Sequence, residues 1–314
     1  MVTESGNKKI TPESVGMSVE IAGITLRNPV ITPSGTCGYG RDYLDFWSPE
    51  QLGAIAVKAV SVKPRDGNTP PRIAEIPSGV LNSIGLENPG VHKFISDELP
   101  WLKSIGAAVI ANVVGYTDDD YAECVGILDG TGVDMIELNI SCPNVKGTPI
   151  SASAERTEAL TKRIKGVTKK PVIVKLSPNV TSITDIAKAA EAGGADALSL
   201  INTVMGMRIN IKTRRPMLKN ITGGMSGPAV FPLAVRMVWQ TANAVNIPII
   251  GGGGITTAED AVEMMMAGAD AVSCGTAMFS DPSAPLKIIE GLRRWCSDNG
   301  VGSVRELTGS VVTG

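Results

Sequence analysis

The sequence predicts an α/β barrel of eight strand–helix units, a (β/α)8 or TIM barrel, on three observations. Short apolar, β-branched runs alternate with helix-period stretches along the chain, the pattern of parallel strands joined by crossover helices. A Gly-X-Asp phrase recurs before three of those runs, at Gly132-Val133-Asp134, Gly194-Ala195-Asp196 and Gly268-Ala269-Asp270. The length of 314 residues is about what eight such units need, which leaves little for a second domain.

The elements follow in order. Val19 to Ile21 and Ile24 to Leu26 read as an N-terminal hairpin. Eight strands then fall at Val30 to Thr32, Ala54 to Ala59, Val109 to Val113, Met135 to Asn139, Val172 to Lys175, Ala197 to Ile201, Pro248 to Gly251 and Ala271 to Ser273. Helical periodicity is clear at Asp118 to Leu128, Ile183 to Ala192, Leu233 to Val245 and Ala258 to Ala267, with a last helix at Ala284 to Trp295. In the recurring phrase the glycine is expected to end a helix and the aspartate to turn the chain into a buried strand. One connection is too long: Ser61 to Leu86, rich in Pro, Gly and Arg, reads as a long functional loop after strand two, lying over the barrel mouth. The division expected is residues 1–16 as a polar N-terminal tail and 17–314 as a single barrel domain.

Composition narrows the function. Twenty-nine Lys and Arg nearly balance 31 Asp and Glu, so no long-range field recruits nucleic acid or an anionic membrane, and any anion site must be local. The start of the chain lacks the apolar core of a secretory signal, and no uncharged run spans a bilayer, so a cytoplasmic location is expected. Five scattered cysteines with no Cys-x-x-Cys pair argue against zinc, iron–sulfur clusters and disulfides on this chain, and one histidine, His92, excludes a multi-histidine metal centre. No metal is expected. His92 follows Asn88-Pro89-Gly90 at a helix start and reads as a surface or capping residue.

In a barrel of this kind the chemistry gathers at the C-terminal strand ends, which here carry Ser34-Gly35, Lys58-Ala59, Asn112, Asn139 with Cys142, Lys175, Asn202-Thr203, Gly251 to Gly254, and Gly275-Thr276. In Asn139-Ile140-Ser141-Cys142-Pro143-Asn144 one thiol lies between two carboxamides. A thiol near its ordinary pKa of about 8.5 needs little help to act as a base toward a C–H, and carboxamides complement ring carbonyl and N–H groups without adding charge. A buried structural cysteine with turn-forming asparagines is the alternative. Glycine-rich turns after strands seven and eight, opening onto helix N-termini, suit a phosphate. Lys58 and Lys175 at strand ends call for an anion in the mouth, or for partner carboxylates such as Glu137.

With these residues placed, the chain resembles the class 1 dihydroorotate dehydrogenases from Met17 to the final helix. The matching motifs include Asn28-Pro29 to Gly35, Val57-Lys58-Ala59, Pro64-Arg65, Gly67-Asn68, Pro71-Arg72, Leu81 to Gly90, Glu137 to Asn144, Val174 to Asn179, Ile201-Asn202-Thr203, Ile221 to Gly224, Ser226-Gly227-Pro228 and Gly275-Thr276. The resemblance implies FMN bound by Ser34, Lys58, Ala59, Asn112, Asn139, Lys175, Ile201, Gly227, Gly253, Gly254, Gly275 and Thr276. It implies dihydroorotate held by Lys58, Asn82, Ser83, Ile84, Gly85, Leu86, Asn139, Asn144, Asn202 and Thr203. By the same analogy Cys142 takes the C5 proton while hydride leaves C6 for FMN, giving orotate for pyrimidine (UMP) biosynthesis. Val57-Lys58-Ala59, Asn202-Thr203 and Ile221 to Pro228 look like the NAD-linked class 1B branch. That implies a homodimer, extended to a heterotetramer by a subunit carrying FAD and a 2Fe–2S cluster, with no nucleic-acid or membrane partner. After Lys146 the chain reads Gly147-Thr148-Pro149-Ile150-Ser151-Ala152, where that branch has Gly-Gly and then Phe-Gly. The shorter loop leaves lid closure and substrate preference open, and fumarate as an oxidant; two other readings stand beside this one, an FMN-dependent dihydropyrimidine (uracil/thymine) dehydrogenase-like enzyme that also uses a cysteine, and a non-redox phosphate-ligand barrel lyase in which Lys58 or Lys175 serves a carbonyl or phosphate.

Overall fold

Strand sequences that are apolar on both faces can only be buried on both faces, and that is how they are used in the computed structural model, which describes residues 10–141 and 150–314. The barrel strands are β1 (Val30–Thr32), β2 (Ala54–Ala56), β3 (Val109–Val113), β4 (Met135–Asn139), β5 (Val172–Lys175), β6 (Ala197–Leu200), β7 (Ile249–Gly252) and β8 (Ala271–Ser273). All pair in parallel, each with its sequence neighbour, and β8 pairs with β1 to close the ring. The expected (β/α)8 architecture is therefore present, with ends shifted by a few residues at β2, β6 and β7.

The helical layer is less regular than the strands. Between β1 and β2 stand only 3-10 turns at Arg41–Tyr43 and Pro49–Gln51. Helix α1 runs through Val91–Lys93, a π-wound stretch Phe94–Glu98, and Leu99–Ser104. Then follow α2 (Asp118–Asp129), α3 (Ala154–Lys165), α4 (Ile183–Ala192), α5 (Phe231–Ala242), α6 (Ala258–Met266) and α7 (Ala284–Asp298). Their starts are written in the sequence: Thr117, Ser153, Ser182 and Thr257 each accept a backbone N–H three residues on, closing the N-termini of α2, α3, α4 and α6. His92 is exposed at the start of α1, as read.

The N-terminal hairpin turns on two residues, Ala22 and Gly23, both with positive φ, the geometry that matches strand twist in a two-residue loop. Its apolar face, Val19, Ile21 and Leu26, is buried in the core. The chain just before it is anchored as well: Val15 is buried and Gly16 bridges Ser303.

The recurring Gly-X-Asp phrase has a more specific use than turning the chain. Asp134, Asp196 and Asp270 accept hydrogen bonds from the first amides of β3, β5 and β7, at Val109, Val172 and Ile249 (2.7–2.8 Å), so each aspartate ties one strand start to the next. Gly132 does not end α2, which stops at Gly130.

The long connection after β2 also differs from its expectation. It is not irregular throughout: Ile73–Ile76 and Gly79–Asn82 form a hairpin. That hairpin pairs with Thr222–Ser226, which pairs with Val204–Met207, giving a four-stranded antiparallel sheet built from two insertions. The strands after β6 carry no clear alternation of apolar and polar residues, which is why the sequence did not reveal them.

Candidate active site

The polar residues at the C-terminal strand ends are held in place by register. On β4, Met135, Glu137 and Asn139 share one face by the two-residue repeat, and pairing sets Asn112 beside Glu137, Asn139 beside Lys175 and Lys175 beside Ser199. The side chains connect accordingly. Asn112 Nδ2 donates to Glu137 Oε1, Ser199 Oγ donates to Glu137 Oε2 (2.6 Å), and Lys175 Nζ lies 3.8 Å from Glu137 Oε1. Asn139 Nδ2 reaches Asn112 Oδ1 (3.5 Å), and Asn139 Oδ1 accepts from Ser141 Oγ (2.7 Å) and Asn202 Nδ2 (3.4 Å). Asn202 Nδ2 also donates to Ser141 Oγ, and Asn202 Oδ1 accepts from the Thr203 amide (2.7 Å). Asn112, Glu137, Asn139 and Lys175 are all buried.

The two lysines separate here. Lys175 has a carboxylate neighbour, the alternative weighed for it from the sequence. Lys58 makes no ion pair or side-chain hydrogen bond among the described residues; only its backbone amide is engaged, by the Gly38 carbonyl (2.9 Å).

A second group forms beside the first. After β7 and β8 the amides of Gly253, Gly254, Gly275 and Thr276 donate to no acceptor among the described residues. The backbone crowds this corner: a Cβ on Gly254 (φ +83°) would stand 2.8 Å from the Gly227 carbonyl oxygen, and one on Gly253 (φ +127°) 2.9 Å from Ala234 Cβ. Thr276 Oγ1 donates to Ser226 Oγ (2.9 Å), which brings the β8 turn to the end of the cover sheet. Ile201 joins the two groups, its amide bonded to the Gly252 carbonyl (2.9 Å) and its side chain against Gly253. The expected helix N-termini are not what opens here. Asp260 takes the Thr256 and Thr257 amides at the start of α6, and β8 leads into a short 3-10 turn, Thr276–Phe279. The free donors are loop amides.

The cover sheet contributes the third group. Asn82 Nδ2 donates to the Gly224 carbonyl (3.4 Å), and Gly224 lies so close to Thr203 that a Cβ there would meet Thr203 Oγ1 at 2.0 Å. Ser83, Ile84, Gly85 and Leu86 are held from outside: Asn68 donates to the Ser83 carbonyl and, from its amide, to that of Ile84 (2.9 Å each), and Asn88 to that of Leu86 (2.8 Å). Ser34 follows β1 and Ala59 is buried after β2, so the described members of both expected residue sets sit at the same end of the barrel.

Cys142 and Asn144 lie outside the described residues, as does the altered stretch up to Pro149. The other four thiols do bear on the choice of base. Burial pushes Cys37 up to about 11 and Cys124 and Cys274 up to about 12, and it raises Cys296. Such thiols hold almost no thiolate at neutral pH.

Some members of the site were not singled out from the sequence. Glu137 was named there only as a possible partner for the lysines, and Ser199, a hydroxyl inside an apolar strand, was not named; strand pairing joins the two across β5. Ser141 was within the motif but was not given a role. Tyr121, a buried phenol on α2, donates to the Asn139 carbonyl (2.7 Å); its position on an apolar helix face gave no sign of that contact. Among the described residues there is no group of acidic, cysteine or histidine side chains arranged for a metal, and no helix long and apolar enough to cross a membrane.

Comparison with known proteins agrees with this arrangement. A family model described as dihydroorotate dehydrogenase matches residues 16–295. The chain is 51% identical over 299 residues to "Dihydroorotate dehydrogenase B (NAD(+)), catalytic subunit" of Alkaliphilus metalliredigens, covering 95% of this chain and 99% of the relative. Proteins of the same name from Thermoanaerobacter pseudethanolicus and Geotalea uraniireducens are each 50% identical, with 95% of this chain covered in both cases and 99% and 98% of the relatives. A closed barrel with its polar residues at one end, matched by relatives of half-identical sequence along nearly the full chain, places the protein without ambiguity: it belongs to the dihydroorotate dehydrogenase family, among the B-type catalytic subunits.

Proposed function

We propose that this chain oxidises dihydroorotate to orotate on FMN, as the catalytic part of an NAD-linked enzyme. The observation that carries the reading is the meeting, at Ile201, of a carboxamide cluster with a seat of free loop amides. One suits a planar ring rich in amide groups, the other a phosphate.

FMN fits the residues present. Gly253, Gly254, Gly275 and Thr276 would hold its phosphate, with Gly227 letting the backbone of Ser78 and Gly79 close against this corner, where a Cβ would stand 2.6 Å from Gly79 Cα. Asn112, Asn139, Lys175, Ser34, Ala59 and Ile201 would hold the ring system and its linker. Bound there, FMN supplies the acceptor for the hydride that leaves C6 of the substrate.

The chain's own residues do the rest. The four described cysteines are buried thiols of raised pKa, and Cys142, between Asn139 and Asn144 in the sequence, accepts the proton from C5 as the C5–C6 double bond forms. Lys58, with no partner carboxylate among the described residues, faces the substrate's carboxylate, and Asn82 to Leu86, Asn139, Asn144, Asn202 and Thr203 hold the pyrimidine ring. This chain has no cluster cysteines, so an electron exit through an iron–sulfur centre lies on another protein; a subunit with FAD and a 2Fe–2S centre fits that route. That the relatives are named as catalytic subunits supports such an assembly. So do the exposed apolar side chains Met205 and Met207 on the cover sheet and Ile209 and Ile211 just beyond it.

The test is direct. The purified chain should show a flavin absorbance that bleaches on anaerobic addition of dihydroorotate, and Cys142→Ser should keep the flavin but bleach far more slowly at neutral pH. A colourless protein, or flavin reduced by dihydrouracil and not by dihydroorotate, would overturn the proposal.

A further inference from the structure

Glu137 is a carboxylate buried inside the barrel, and three groups converge on it from three neighbouring strands: Asn112 from β3, Lys175 from β5 and Ser199 from β6. A carboxylate can only accept, so it obliges Asn112 to turn its amide nitrogen inward and its oxygen toward Asn139. The direction then passes along the chain already described, from Asn139 to Ser141 and Asn202. The same carboxylate stands 3.8 Å from Lys175 Nζ, in a place where both side chains are nearly excluded from water. Lys175 therefore does not present a bare positive charge to whatever lies above it.

We propose that Glu137 is a positioning residue that sets the donor direction of the Asn112–Asn139–Asn202 chain and offsets the charge of Lys175, and that through these it holds down the reduction potential of the flavin. This rests on the FMN reading given above. A negative charge beside a ring disfavours its electron-rich, reduced form, and in a buried setting that effect is little screened.

The experiment uses the flavin-loaded enzyme and measures the midpoint potential by dye-equilibrated titration, for wild type, Glu137→Asp and Glu137→Gln. Glu137→Gln keeps the shape and removes the charge; the expected result is a rise equivalent to at least a tenfold gain in affinity for reduced over oxidised flavin, about 30 mV for the two-electron couple. Glu137→Asp keeps the charge but draws it back by one methylene, so its potential is expected between the other two. A purely structural role would weaken oxidised and reduced flavin alike and leave the potential where it was. Should Glu137→Gln fail to retain flavin, the Glu137→Asp comparison alone decides: a potential equal to or below wild type overturns the inference. A wild-type protein that binds no flavin would instead overturn the FMN reading, so the two failures are distinguishable.

Discussion

Gly224→Ala is the most informative single change to the substrate side of the site. Gly224 lies on a regular strand, with no positive φ, so alanine costs nothing in backbone conformation. All its effect comes from contact. The new Cβ would stand 2.0 Å from Thr203 Oγ1 and 2.6 Å from Thr203 Cβ. Since nonbonded heavy atoms rest at roughly 3.5 Å, one of the two must retreat by about 1.5 Å. Thr203 is tied through its amide to Asn202, and the Gly224 carbonyl holds Asn82, so either retreat displaces a proposed substrate ligand. A misplacement of that size costs on the order of a hundredfold in rate. We therefore expect kcat/KM for dihydroorotate to fall by about two orders of magnitude, mostly through KM, with flavin content unchanged because the loop-amide seat is elsewhere. Steady-state kinetics with a flavin absorbance count would show this. Unchanged kinetics, or loss of flavin in parallel with activity, would refute the placement of Asn82 and Thr203; Thr203→Gly added to Gly224→Ala should relieve the crowding but not restore the lost contact.

Three further outcomes are expected. Mild alkylation of the native enzyme at pH 8, read by peptide mass mapping, should modify Cys142 well before Cys37, Cys124 and Cys274, whose thiols burial holds at about 11 to 12; equal labelling would deny Cys142 its distinct role. Tyr121→Phe removes the donor to the Asn139 carbonyl and should cost about 1–3 kcal/mol in denaturant unfolding while slowing flavin reduction by dihydroorotate; a full-rate, fully stable variant would show that Tyr121 does not brace the turn. Ala242→Lys should supply the cation that Asp270 lacks, since Lys103 and Lys165 pair with Asp134 and Asp196 at equivalent joints and Ala242 packs on Gly268 as those lysines do on Gly132 and Gly194. Burial raises the Asp270 carboxyl, so ionising it costs stability as pH rises through its folded value; the added lysine should recover about 0.3–1 kcal/mol at pH 7 and nothing at a pH low enough to protonate Asp270, and an equal gain at both would refute the pairing.

What the sequence made legible is what repeats or what is locally constrained. The barrel strands were readable because each must be apolar on both faces, and the helix starts because Thr117, Ser182 and Thr257 cap them within three residues. Lys58, Asn112, Asn139 and Lys175 were readable because a polar residue at the end of an apolar strand has few uses other than at the mouth of a barrel. Partnership was not readable. Whether Lys175 meets Glu137 depends on the register of β4 against β5, and whether Lys58 meets a carboxylate depends on what ring closure brings beside the end of β2; a single sequence fixes neither. Nor was the cover sheet, whose strands come from insertions some 120 residues apart and are rich in glycine; their pairing is decided between insertions and not within either one.

That division has a physical consequence for how the site is built. The proposed flavin seat is made of barrel strands and the turns that leave them, so its geometry is as fixed as the closed ring of parallel pairing itself. The proposed substrate side is made by the antiparallel sheet of two insertions, joined to the barrel through polar contacts that include Met205 to Asn179 and Thr276 to Ser226. A rigid floor suits a group that stays through every turnover, and a separately folded cover suits one that must enter and leave. Changes in the glycine turns after β7 and β8 should therefore show first as lost flavin, and changes between the two insertions as a raised KM.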